Sequence, residues 1–418
     1  MSTARAASDE GDEVLADVLE RSHSASAAEV PVLIDEAARR LGAAGARLYV
    51  SDLQQVWLVR LPLASEPSRS DALGYTLSEP GGEVEGGRLE VDSSLAGLAY
   101  RTQKTQLTID ARTAWIPMVD GIERVGVMEV SGPAPGAHGM YRALASLATL
   151  LVVSKASHSD LLVERERSRP MTLQAELLWA FLPPRTVGTS RATSAAVLEP
   201  AYEVGGDAFD HNFTEDRLHL TLLDAMGHDL ASGGASAVGL AVCRSTRRAG
   251  GGLRDIASAI DRTLAQWIPE RLMTGIVANL DTIRGELTWI NCGHPPPLLI
   301  RDGRVLSEAL ERPADLPFGF GFHTDHPPRQ HREPLQPGDR VLFYSDGVTE
   351  ARSSSGELFG ESRLADAVIR SMASGDPAPE ALRRLILHLL LHQDQRLTDD
   401  ATILLAEWHP PTPVRPHV

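Results

Sequence analysis

The chain has 418 residues, 43% of them hydrophobic and 23% charged, with a formal net charge of -16. That mix is typical of a folded globular protein with room for about two domains, and it excludes a disordered or fibrous chain. The acidic balance argues against a nucleic-acid partner, which would be held through surplus Lys and Arg. The two cysteines, Cys243 and Cys292, are too few for a disulfide framework and read as buried structural thiols.

Residues 1–27 are small, polar and acidic and read as a disordered lead-in. Their start, MSTARAASDEGDEVL, lacks an apolar export segment. The longest apolar run, LASLATLLVV at 144–153, is too short to span a bilayer. A cytoplasmic location away from membranes is therefore expected.

From residue 28 the pattern mixes helix and strand. A helix (VPVLIDEAARRL) leads to strands ARLYVSDL and VWLVRLP, then to a polar loop at 65–87. RLEVD, a short helix (SLAGLAYRTQ) and the strand-like runs TQLTID, AWIPMVDG and RVGVMEVSG follow. A hairpin is expected at Asp120–Gly121. LAGLAYRTQKTQLTID followed by VGVMEV resembles a GAF sensor domain over residues 28–155, with a PAS domain the nearest alternative. No residue there fixes a ligand, and a ligand-free dimerisation module fits equally well.

Residues 156–182 read as a helical connector, interrupted by Pro170 and ending in the apolar run LQAELLWAFLPP. Such a segment forms either a two-chain coiled coil or a helix packed on its own domain. A connector between sensor and enzyme favours a homodimer.

Residues 183–410 have a different texture, and 411–418 read as a tail. Strand runs AAVLEP, RLHLTLLDA, GIVANL, ELTWINCG, PPLLIRDG, RVLFYSDG and ATILLAEW carry hairpin signals at Arg284–Gly285 and Asp302–Gly303. Helical runs fall in two clusters, at 235–268 and 361–393. The pattern predicts an α+β fold of antiparallel sheets flanked by helices. No Walker A or Rossmann glycine pattern is present.

Four motifs place acids where a strand meets a turn: VGGDAFD (Asp207, Asp210), LLDAMGHD (Asp224, Asp229), FYSDGVTEA (Asp346) and LTDDATILL (Asp399, Asp400). A strand end delivers a side chain to a rim with little slack. Several carboxylates brought together need a cation, and Mn2+ or Mg2+ suits oxygen ligands. Singly, each Asp also fits an ordinary turn; their order along one chain is the stronger signal.

These motifs, with LQAELLWAFLPP at the start and NCGHPPPLLI between them, resemble the SpoIIE-like branch of the metal-dependent (PPM) serine/threonine protein phosphatases. The resemblance implies an αββα sandwich with a two-metal site, Mn2+ or Mg2+, on one rim. It implies Asp224 as the carboxylate bridging both ions, with Asp207 and the Ala225 carbonyl on one of them. Asp346 and Asp399 correspond to ligands of the other, with neighbouring Asp400 the alternative to Asp399. Asp207, Asp224, Asp346 and Asp399 are thus the expected catalytic set. His228 and His294 recur in the family's motifs and read as packed rim residues, with a general-acid role the alternative. Asp229 stands where the family has Gly, so it either restricts that turn or adds a carboxylate to the site.

The implied reaction is attack on phosphorus by a metal-activated water. The implied substrate is a phosphorylated STAS-domain anti-sigma-factor antagonist, under control of the GAF-like unit. Two other readings compete. One is a catalytically silent regulatory protein on the same fold. The other is a diguanylate cyclase, suggested by GGDAF but lacking that family's Glu.

Overall fold

The computed structural model describes residues 2–63, 87–393, 397 and 399–409, so the polar loop at 65–87, apart from Gly87, and the tail lie outside the described residues. The chain divides into two compact units, Met1–Arg169 and Pro170–Val418.

In the first unit a six-stranded antiparallel sheet runs in the spatial order 88–90, 57–60, 45–51, 123–131, 113–120, 106–107. Alternation along its strands feeds two cores. Leu48 and Val50 pack with helices Val30–Arg40 and His138–Ala156. Tyr49 turns the other way, toward Ala96, Ala99 and Tyr100 of helix Leu95–Thr102. The hairpin at Asp120–Gly121 forms, with Asp120 paired to Glu123 and Gly121 at φ 60.

The N-terminal expectation is corrected. Ser2–Ser22 is a helix, and its Val14 and Val18 are buried in the first core. Composition suggested disorder, but those valines lie four apart and share one helical face, where tertiary burial outweighs a polar surround.

The connector also differs from its reading. The Asp160–Glu166 helix belongs to the first unit, where Leu162 is buried and Leu53 N–H donates to the Glu166 carbonyl at 2.9 Å. The Leu173–Trp179 helix instead buries Ala175 and Leu178 in the second unit's core. The polar, Pro-containing segment between them separates two domain-bound helices.

The second unit stacks two antiparallel sheets. One has the order 331–334, 286–292, 273–281, 217–225, 207–213; the other has 304–305, 298–301, 340–344, 401–408, 192–199, 186–188. Strand period explains the layering. Val341, Phe343, Leu404 and Ala406 face the inter-sheet core. Their neighbours Leu342, Tyr344, Ile403 and Leu405 pack under helices Gly360–Ala373 and Ala378–His392. Helices Leu230–Arg248 and Leu253–Trp267 cover the other sheet. The result is an α+β sandwich with αββα layers. Asp302 (φ 49) and Gly303 (φ 70) form the expected tight hairpin.

Candidate metal centre

Asp207 opens strand Asp207–Phe213, and Asp224 is the penultimate residue of its antiparallel neighbour, Arg217–Ala225. The two stand directly opposite in register, so their side chains share a face. In the other sheet, strand Arg340–Tyr344 ends just before Asp346, and Asp399 and Asp400 immediately precede its partner strand, Ala401–Trp408. Ser345 ties these ends together: its amide donates to the Thr402 carbonyl at 3.0 Å, and its hydroxyl accepts from the Thr402 amide at 2.9 Å.

Glycine lets the backbone close up within the edge of each sheet. A Cβ on Gly206 would overlap the Ala225 and Gly227 carbonyls, one on Gly205 the His228 backbone, and one on Gly347 the Asp400 carbonyl. Only residues without a side chain allow this backbone-to-backbone approach.

Asp400 supplies the bridge between the sheets. Its carboxylate accepts from the Gly205 amide at 2.9 Å, the Gly206 amide at 2.6 Å and the Asp207 amide at 3.1 Å. Asp399 is exposed, and its carboxylate accepts from the Asp400 amide at 2.9 Å.

Crowding shows in the electrostatics. Burial, then Asp224 and Asp400, push the Asp207 carboxyl well above the ordinary range. Asp224 is pushed up to about 7 by burial, then by Asp346, Asp399 and Asp400. Asp346 is raised by burial, then by Asp399 and Glu350. All four motifs therefore act on one another in a single place. The buried Oδ2 of Asp207 has no hydrogen-bond partner. A cluster of like charges with an orphaned carboxylate oxygen suits a divalent cation, which would satisfy that oxygen and cancel the repulsion.

Asp210, in the same motif as Asp207, plays no part in this cluster. Three residues along a strand, it points to the opposite face. There Arg244 (2.7 Å) and Arg247 (2.9 Å) hold it below the ordinary range despite its burial. His219 and Cys243 lie close to Asp210, but the two guanidinium groups already supply the charge a cation would bring.

Asp229 caps helix Leu230–Arg248, accepting from the Ser232 amide at 2.9 Å and the Ser232 hydroxyl at 2.8 Å. Arg271 donates to it at 2.7 Å and to the Met226 carbonyl at 3.1 Å. The carboxylate is thus committed to the helix start and to Arg271, a partner the sequence did not reveal. His228 is exposed, so its packed reading is corrected: the backbone at Gly227 (φ 99) carries the turn around the rim and leaves the ring outside. His294 is packed, 4% exposed, and burial pushes its imidazole down to about 4, with the Tyr344 backbone acting in the opposite direction.

Residues 214–409 match the family described as Stage II sporulation protein E (SpoIIE). This segment, just under half of the chain, is thus similar to the SpoIIE-like branch of the PPM protein serine/threonine phosphatases. The match begins after Asp207. The chain is 23% identical to the phosphoserine phosphatase RsbU of Bacillus subtilis over 211 residues, which are 50% of this chain and 61% of RsbU. It is 26% identical to protein IcfG of Synechocystis over 127 residues, 30% of this chain and 19% of IcfG. Among solved structures, the RsbU and RsbW domains of a Mycobacterium tuberculosis protein align at 27% identity and TM-score 0.46, covering 55% of this chain and 63% of that one. The SiaA PP2C domain of Pseudomonas aeruginosa aligns at 22% identity and TM-score 0.47, covering 56% and 94%. The chain thus spans less than two thirds of the length of the curated relatives it matches.

Proposed function

We propose that this chain is a protein serine/threonine phosphatase working with two divalent cations, Mn2+ or Mg2+, held by Asp207, Asp224, the Ala225 carbonyl, Asp346 and Asp399. The observation that carries the reading is the convergence of four separate motifs on one crowded set of carboxylates, with Asp207 Oδ2 buried and unpaired. Bound there, the cations would supply an activated water and neutralise charge on the phosphoryl oxygens.

The chain's own groups do the positioning. Asp207 and Asp224, opposite each other on paired strands, present carboxylates from one sheet. Asp346 and Asp399 present theirs from the other. Asp400 is spent on the Gly205, Gly206 and Asp207 amides, which favours Asp399 as the ligand and Asp400 as the brace.

The substrate in this reading is phosphoserine or phosphothreonine on a STAS-domain anti-sigma-factor antagonist. Its support is the likeness to RsbU, a phosphoserine phosphatase. The first unit acts as a GAF-like sensor, the protein works as a homodimer, and its place is the cytoplasm. Among the described residues no helix is long and apolar enough to cross a membrane. The test is release of phosphate from phosphorylated STAS proteins of the same genome, with Mn2+ present or chelated. Metal-dependent release from one or a few of them is the expected result; release from none overturns the substrate assignment.

A further inference from the structure

Behind the aspartate cluster lies a partly buried polar chain that the reading above does not use. Thr274 stands directly opposite Asp224 on the neighbouring strand Met273–Asp281, and its hydroxyl counters the upward shift of the Asp224 carboxyl. The Thr274 Oγ1 lies 3.0 Å from His294 Nδ1. His294 is held in turn by its own turn. After Cys292 the chain reverses through Gly293 (φ 73), where a Cβ would press on Pro317. Asn291 closes the turn in both directions, its Nδ2 donating to the His294 carbonyl at 2.8 Å and its Oδ1 accepting from the His294 amide at 2.8 Å. The His294 Nε2 is buried without a partner. The imidazole is therefore fixed in place by its backbone clamp, by the Tyr344 backbone and by one side-chain contact, the one to Thr274.

We infer that Thr274 and His294 are positioning residues for the Asp224 carboxylate. An ionised carboxylate only accepts hydrogen bonds, so the Thr274 hydroxyl donates to Asp224 and accepts from His294 Nδ1–H. That arrangement sets the hydroxyl's rotamer and with it the orientation of the carboxylate that would serve both ions. Outer partners of metal ligands act in this way, and their removal costs roughly tenfold to a hundredfold in metal affinity. The inference rests on the metal-centre reading, because it assigns Thr274 and His294 a role only toward a cation-binding Asp224.

The test is calorimetric titration of the metal-free full chain with Mn2+, alongside the melting midpoint, for the wild type, Thr274→Val, Thr274→Ser, His294→Ala and the Thr274→Val/His294→Ala double variant. Thr274→Val is nearly isosteric and should keep the fold. It should weaken Mn2+ binding about tenfold or more, and Thr274→Ser should restore it. His294→Ala should weaken binding in the same direction, and the double variant should lose little beyond Thr274→Val alone, since both residues act through one hydroxyl. Thr274→Val with wild-type Mn2+ affinity overturns the inference, as does a fully additive double variant. If the wild type itself binds no Mn2+, the metal-centre reading fails, and the inference with it; wild-type binding with unaltered variants removes the inference alone.

Discussion

Asp224 is the residue on which most of the cluster's repulsion converges, since Asp346, Asp399 and Asp400 all raise it on top of burial. Asp224→Asn should abolish hydrolysis, and Asp207→Asn or Asp346→Asn should each lower the rate at least about a hundredfold, the scale of a lost transition-state contact. These variants should fold, because removing one of several crowded negative charges relieves strain in the metal-free protein. Asp224 also makes that stability depend on pH. A carboxyl raised to about 7 stays protonated in the fold where the unfolded chain, near its ordinary value of about 4, has ionised. Its stabilising contribution is complete below about 4 and lost as pH rises through about 7. Melting of the chelated wild type should therefore fall between about pH 4 and 7, and the slope should flatten in Asp224→Asn. Parallel slopes would count against this environment for Asp224. The neighbouring pair separates by role. Asp399→Ala should raise the Mn2+ requirement with little change in melting. Asp400→Ala gives up three amide contacts to a charged group and should cost about 2 kcal/mol, seen as a melting midpoint lower by several degrees. The reverse ranking would exchange ligand and brace.

At the scale of elements, the centre depends on strand ends brought within backbone contact. Gly347→Ala should cost about 2 kcal/mol or more, because its Cβ meets the fixed Asp400 carbonyl rather than a flexible side chain; chemical denaturation measures it, and a neutral result would mean that the motifs are packed more loosely. Much of this arrangement was legible beforehand. The runs before Asp224 and Asp346 and after Asp400 are short, apolar and bounded by turn residues, and hairpin glycines at 285 and 303 take the positive φ their turns require. What the sequence concealed is pairing. Nothing near Thr274 announces that it faces Asp224, since cross-strand register joins residues 50 apart in the chain. Arg271 and Asp229 are equally remote in sequence, so the capping role of Asp229 emerges only in the fold. Asp207 and Asp210 look equivalent in VGGDAFD, yet strand alternation sends one to the cluster and the other to two arginines.

For the whole molecule, the division at Arg169 and Pro170 bears on control. LQAELLW read as the end of a connector between units, but Leu178 is fully buried in the second core. Leu178→Ala should therefore lower stability by about 3 kcal/mol and leave activity per folded molecule unchanged. A chain of residues 170–418 should fold and retain metal-dependent hydrolysis of p-nitrophenyl phosphate. If the first unit governs the second, that fragment will differ from the full chain in rate or in Mn2+ requirement; identical kinetics would end the sensor reading and leave the phosphatase intact. The central claim is that the converged aspartates form a hydrolytic metal centre. Its most direct test is phosphate release from a phosphoserine protein by the full chain, with Mn2+ and with chelator, beside Asp224→Asn. Release that requires Mn2+ and vanishes in Asp224→Asn is the predicted result, whereas release that survives chelation, or that Asp224→Asn sustains at the wild-type rate, would contradict it.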